Sequence, residues 1–279
     1  MNQQAHHPAP SLNFIRQGSG APILLFHGLG GNIASWDGIA ADLARTNEIV
    51  VVDLPGHGAS PVLPGSGTFG GIADAIADFI RAERLEGVAA VGLSLGGRVV
   101  LEMARRGLVG ATVALAPGGF WNDKERRYLK ASLLAGGKLS RLTRRALPFL
   151  TRYKAGRAAL LAQISAKPGQ VPPETALREL QAFASTPTFN DLVRDLAEGP
   201  VQEGTDTTPG PVTLVWGRND RLLLPRQAEQ AKEAFPKARL HWVEECGHYI
   251  PWDAPEETLR LIRLGTEQAE TAGGSAATA

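Results

Sequence analysis

The sequence predicts an α/β fold: a mostly parallel central sheet flanked by helices, with an inserted all-helical cap. Three observations carry this. Continuous apolar runs of strand length alternate with segments of helical periodicity, the pattern of parallel strands buried on both faces. The alternation stops near Phe120 and resumes near Pro211, with only helical patterns between. A serine between glycines, Val91-Gly92-Leu93-Ser94-Leu95-Gly96-Gly97, stands where an apolar run hands over to a helical one.

The elements follow in order. Ser11 to Arg16 alternates and reads as a short strand, and Gln17-Gly18-Ser19-Gly20 is a turn. Pro22 to His27 is a buried strand ended by Gly28-Leu29-Gly30-Gly31. Asn32 to Arg45 has helical spacing, with Ile33, Trp36, Ile39, Ala40 and Leu43 on one face. Glu48 to Val52 is a second buried strand, closed by the loop Asp53-Leu54-Pro55-Gly56-His57-Gly58. Thr68 to Leu85 is a helix with Ile72, Ile76, Phe79 and Ile80 inward. Val88 to Val91 leads into the serine turn and Arg98 to Arg106 leads out as helix. Ala111 to Ala116 is a short strand closed by Pro117-Gly118-Gly119. From Trp121 to about Ala197 the patterns are helical, punctuated at Pro148, Lys167-Pro168-Gly169 and Pro187. Strand, helix, strand and helix then return over Pro211 to Trp216, Arg226 to Phe235, Ala238 to Val243 and Ala254 to Gln268. The expected division is a core of 1–119 and 199–279 with a helical cap over 120–198.

Composition narrows the function class. A net charge of +1 with 20% charged residues gives no global signal for nucleic acid. The single cysteine, Cys246, cannot form an intrachain disulfide, and Met1 to Pro10 has no apolar stretch of the secretory kind. No apolar run approaches the ~20 residues needed to cross a bilayer. These features lead us to expect a cytoplasmic protein acting on a small molecule. The Ala/Gly/Ser/Thr-rich tail, Thr271 to Ala279, reads as disordered. The six histidines lack paired ligand spacing, so no metal and no cofactor are expected.

The chemistry starts at Ser94. On a tight strand-to-helix turn the neighbours two places either side must lack bulk, which Gly92 and Gly96 satisfy. The hydroxyl then stands at a strand's C-terminal end near a helix N-terminus. A serine needs a base, and the base needs an orienter. Asp220 in Trp216-Gly217-Arg218-Asn219-Asp220 and His248 in Glu245-Cys246-Gly247-His248 each follow a late strand, the end at which parallel sheets bind ligands. An imidazole suits a base near neutrality. Two N–H donors complete an oxyanion hole: that of Leu95, after the nucleophile, and that of Leu29 in the glycine loop.

These motifs, with Asp53-x-Pro-Gly-His57-Gly58-x-Ser60 and Gly217-x-x-Asp220, resemble the α/β-hydrolase fold superfamily, serine hydrolases with a helical cap. The resemblance covers nearly the whole chain. It implies Ser94 as nucleophile, Asp220 and His248 as its partners, Leu29 and Leu95 N–H groups as the oxyanion hole, and hydrolysis of a carboxylic ester. The spacing Asp220-Arg-Leu-Leu-Leu-Pro225 is slightly longer than the common form and bears on where the next helix starts. Two alternatives stay open: a C–C bond hydrolase of a β-diketone or vinylogous diketone using the same triad, and a non-catalytic ligand receptor on the same scaffold. Phe120, Trp121, Phe183 and Phe189 are candidate walls of the substrate pocket.

Other polar residues have plainer readings. Asp220 could cap a turn. His27, Asp53 and His57 read as loop organisers, and Cys246 as a buried small residue. The cap carries eleven Lys and Arg from Lys124 to Arg157 against Glu125 alone, while Glu174 to Asp206 holds seven acids against Arg178 and Arg194. Leu139, Leu142, Ala146 and Phe149 form an apolar stripe if one helix runs from Lys138. The reading taken is a solvated cap face whose two halves offset each other. The alternative is a basic amphipathic surface for anionic lipid or an acidic substrate.

Overall fold

The computed structural model describes residues 11–273. Seven strands form one sheet: β1 (Phe14–Gln17), β2 (Pro22–Phe26), β3 (Glu48–Val52), β4 (Ala89–Leu93), β5 (Thr112–Leu115), β6 (Val212–Gly217) and β7 (Arg239–Val243). Their spatial order is β1-β3-β2-β4-β5-β6-β7. Only β1 runs antiparallel, pairing Phe14 with Val52. The others are parallel, with Leu25 opposite Val91, Val91 opposite Val113 and Val113 opposite Thr213. Successive residues of a strand face opposite sides, and Leu24, Leu25 and Phe26 are all fully buried, so both faces are covered. On the open β1 edge, Arg16 meets Glu48 and Glu83 at 3.2 and 3.3 Å, charges that discourage further strand pairing.

The flanking helices are α1 (Asp37–Leu43), α2 (Phe69–Ala82), α3 (Leu95–Arg105), α9 (Arg226–Ala234), α10 (Ile250–Asp253) and α11 (Pro255–Gly273), and five helices lie in the insertion. α3 packs on β2, β4 and β5, and α11 on α1 and the centre of the sheet. The first part of the segment read as one helix over Asn32 to Arg45 is a 3-10 turn, Ile33–Trp36, because Asn32 and Ser35 cap each other reciprocally there. α11 runs to Gly273, so the opening of the tail expected to be disordered is helical, while 274–279 and Met1 to Pro10 lie outside the described residues.

Between β5 and β6 lie α4 (Asp123–Leu142), α5 (Leu147–Arg152), α6 (Lys154–Leu161), α7 (Pro173–Ser185) and α8 (Phe189–Glu198). α4 starts at a capping box in which the Asn122 side chain accepts from Glu125 N–H and Glu125 accepts from Asn122 N–H. The apolar stripe does not lie on one helix. The chain turns at Thr143–Ala146, where Ala146 N–H donates to Thr143 O at 2.7 Å, and Pro148 sits in the first turn of the next helix. The insertion has an apolar cluster of its own, Leu147, Leu161, Val171, Ala176 and Leu180. Its two ends are stitched together where Gln202 N–H donates to Gly119 O at 3.0 Å. The buried Arg98 guanidinium holds that junction, donating to Pro200 O at 2.8 Å and lying 3.8 Å over the Phe69 ring.

Candidate active site

Ser94 sits between β4 and α3 with φ 56° and ψ −109°. Strain of this kind costs about 1–3 kcal/mol and persists only where the surroundings enforce it. Here they do: Ser94 N–H donates to Leu115 O at 2.9 Å, and Ser94 O accepts from Arg98 and Gly118 N–H. The two glycines are needed for close approach. A Cβ on Gly92 would run into the Gly96 carbonyl, and one on Gly96 into the Phe26 carbonyl of β2. The turn is therefore possible only with bare backbone on either side of the serine.

Asp220 and His248 follow β6 and β7. Asp220 Oδ2 accepts from His248 Nδ1 at 2.8 Å. Its Oδ1 accepts from Leu222 and Leu223 N–H at 2.8 and 2.9 Å. One Asp220 oxygen thus caps a turn while the other meets the His248 ring. A neutral ring donating at Nδ1 keeps its lone pair at Nε2. The longer spacing to Pro225 leaves the helix start in place, because α9 begins at Arg226.

The glycine loop is set by His27. Its Nε2 accepts from Leu54 N–H at 3.0 Å, so the ring's proton is on Nδ1, which donates to Gly28 O at 2.7 Å. Burial pulls His27 down to about 4, keeping it neutral. Gly31 N–H also donates to Gly28 O at 3.0 Å. In a planar trans peptide the N–H points opposite to the carbonyl, so Leu29 N–H is aimed away from the His27 ring. Leu95 is the first residue of α3, whose N–H has no partner within the helix. Asp53 organises the next loop, accepting from Asn13 Nδ2, Ile33 N–H and Ala59 N–H at 2.7–2.8 Å. Burial, reinforced by His27, brings His57 down to about 3. Cys246 is buried with its thiol pushed up by burial, which suppresses the thiolate.

A cavity of about 130 Å³ brings these groups together, lined by Gly28, Leu29, Ser94, Leu95 and His248. Its remaining wall includes seven cap leucines, with Trp121 and Phe183 among the aromatics. Asp220 lies behind His248, off the wall. Phe120 and Phe189 are also not on the wall. Phe120 turns to the core and packs edge-on against Phe235 at 6.4 Å, and Phe189 backs Phe183 at 4.4 Å. Sequence reasoning missed Tyr249, Trp252 and Glu179, all on the wall. Glu179 is buried, and burial raises it to about 7 against hydrogen bonds from Ser35 and Tyr249. The signal for Glu179 was an acid inside the apolar stripe of Ala176, Leu180 and Phe183 at helical spacing. Among the described residues no group of three or more His, Cys, Asp or Glu is placed to hold a metal ion.

The fold and site together define a hydrolase of the α/β type. The chain belongs to the alpha/beta hydrolase family, whose family model matches residues 23–261. It is 28% identical over 254 residues to 2-(acetamidomethylene)succinate hydrolase of Mesorhizobium japonicum, covering 90% of each chain. It is 29% identical over 264 residues to pimeloyl-[acyl-carrier protein] methyl ester esterase of Nitrosomonas europaea, covering 88% of this chain and 96% of that one. Among solved structures, a thermophilic esterase from Thermogutta terrifontis superposes with a TM-score of 0.70 at 22% identity, over 91% of this chain and 92% of the other.

Proposed function

We propose that this α/β hydrolase is a serine esterase that cleaves a carboxylic ester of a small or medium organic acid through an acyl-enzyme. The observation that carries the reading is the 2.8 Å bond from His248 Nδ1 to Asp220, with His248 and Ser94 on the wall of one largely apolar cavity. In the proposed mechanism His248 Nε2 takes the proton as Ser94 Oγ adds to the ester carbonyl. In this reading the resulting oxyanion is held by Leu29 and Leu95 N–H, both backbone donors. His248 returns the proton to the departing alkoxide, leaving alcohol and acyl-Ser94. Water, deprotonated by His248, then releases the acid and restores the serine. Residues 120–198 act as the cap over this chemistry, and no step calls on a cofactor.

An ester is favoured because the cavity offers leucines for an acyl or alcohol chain, and a methyl ester esterase is among the relatives. The test is a panel of p-nitrophenyl esters of increasing acyl length, run beside a vinylogous diketone, with Ser94→Ala as blank. Esters should turn over, and Ser94→Ala should lose roughly 10⁴–10⁶ in kcat. Preferred cleavage of the diketone would replace the ester reading with C–C hydrolysis. A folded protein inert to the whole panel would point to a receptor.

A further inference from the structure

Between Glu125 and Glu174 the chain carries no acidic residue. Inside that interval lie the end of α4, the Thr143–Ala146 turn, α5 and the start of α6. Lys138, Arg141, Arg144, Arg145, Arg152 and Lys154 are all exposed there. None of the six belongs to a salt bridge among the described residues, and Arg141 reaches only Asn190 Oδ1 at 3.4 Å. Three neighbouring cations are engaged. Lys130 pairs with Glu198 at 2.5 Å, Arg126 donates to Gly199 O at 2.8 Å, and buried Arg157 donates to Thr151 O and Gly169 O. Of these three, Lys130 alone is paired with an acid of the later cap.

Large apolar side chains stand among the unpaired cations. Leu142 is 75% exposed, Phe149 64%, Tyr153 50% and Leu139 49%. Phe149 and Tyr153 stack edge to face at 5.1 Å, which holds two aromatic rings together in water. Leu139 also lines the active-site cavity, so the patch is continuous with the cavity wall.

We infer that this outer end of the cap, from Lys138 to Lys154, docks on an anionic lipid bilayer. Apolar tips set among lysines and arginines match the two layers of such a surface, acyl chains beneath and negative headgroups above. A second copy of the chain would set six cations against six. Nucleic acid would meet the cations and leave Leu142 and Phe149 in water. No helix among the described residues is long and apolar enough to cross a membrane, so the contact is peripheral. Through Leu139 the docked face would open the cavity toward amphiphiles in the leaflet. The docking itself stands apart from the ester reading, because it needs no turnover.

Flotation of the full chain carrying Ser94→Ala with vesicles tests it, comparing phosphatidylcholine alone with an equal mixture of phosphatidylcholine and phosphatidylglycerol. Binding should require the anionic lipid and fall steeply as salt rises, because screening shortens the reach of surface charge. Arg144→Gln with Arg145→Gln should weaken it roughly 25-fold, about fivefold per cation. Leu142→Ser with Phe149→Ser should weaken it roughly tenfold or more. In the otherwise wild-type protein both double variants should hydrolyse soluble short-chain esters at the unaltered rate, since none of the four residues lines the cavity. Absence of binding to anionic vesicles at low salt, equal binding to both vesicle types, or full binding by both double variants would overturn the inference. So would a patch occupied by an acidic protein or a second copy without vesicle binding. Loss of ester turnover by wild type with vesicle binding intact would overturn the ester reading alone.

Discussion

Single residues in this site do two jobs at once, and the geometry shows how. Asp220 spends one oxygen on backbone N–H groups and the other on His248, so the imidazole is aimed by a carboxylate that is itself pinned. His27 never meets the cavity, yet through Gly28 O it decides which way Leu29 N–H points. Titration of buried groups follows from the same packing. His27 and His57 are held low by burial, so the folded chain binds fewer protons than the unfolded one below the ordinary histidine value of 6.5. Their contribution to stability is lost as pH falls from 6.5 toward about 4 and about 3. Glu179 has the opposite sign. Raised from 4.5 to about 7, it makes the folded chain bind more protons, and stability erodes as pH rises across that window. The full erosion is about 3 kcal/mol at 1.36 kcal/mol per pH unit. The two slopes oppose each other in wild type. In Glu179→Gln the histidine slope should stand alone, so urea midpoints should climb more steeply from pH 4.5 to 7 than in wild type. Parallel profiles for the two proteins would show that Glu179 does not hold its proton.

At the scale of elements, the loop that carries His248 is fastened to the cap as well as to the sheet. Asp253 at the end of α10 accepts from Gly247 N–H and Ala166 N–H, both at 2.7 Å, and from Ser165 Oγ at 2.5 Å. Tyr249 N–H donates to Ile164 O at 2.8 Å. The linker after α6 thus holds Tyr249 directly and Gly247 through Asp253, the two neighbours of His248. Asp253→Ala leaves buried N–H groups without partners and should cost about 2–4 kcal/mol. It should also lower kcat on a soluble ester by roughly tenfold while the KM changes less, because His248 loses its fixed pose. Wild-type stability and turnover in this variant would remove the clamp from the account. Nothing local in the sequence marked Asp253, since its partners are 6 to 88 positions away. The sheet was legible for the opposite reason. Pro22–Phe26, Glu48–Val52 and Val212–Gly217 are continuous apolar runs whose burial is decided by composition alone. The turn at Ser94 was legible because close backbone contacts demand glycine at Gly92 and Gly96.

For the molecule as a whole, the insertion is bound to the helices that flank the sheet by part-buried polar contacts. Arg226 of α9 meets Glu125 of α4 at 2.7 Å, and Asp195 of α8 accepts from Phe69 N–H at the start of α2 at 2.8 Å. These contacts explain why pocket walls resisted sequence reasoning. Phe120 and Phe189 carry the same apolar character as Trp121 and Phe183, and only the docking of the cap decides which pair faces the cavity. The break between α4 and α5 was half legible, because Pro148 punctuates the segment while the periodicity of Leu139, Leu142 and Phe149 runs on across the turn. A near-neutral total charge conceals the other global feature, an outer cap end of one sign facing a more acidic remainder. The central claim is that Ser94 is the nucleophile activated at this sheet edge. Its most direct test is labelling of the intact protein with a fluorophosphonate, read by mass spectrometry of the peptides. The account predicts one adduct, on the peptide containing Ser94, none on Ser94→Ala, and far slower labelling of His248→Ala. An adduct elsewhere, or equal labelling of wild type and Ser94→Ala, would contradict it.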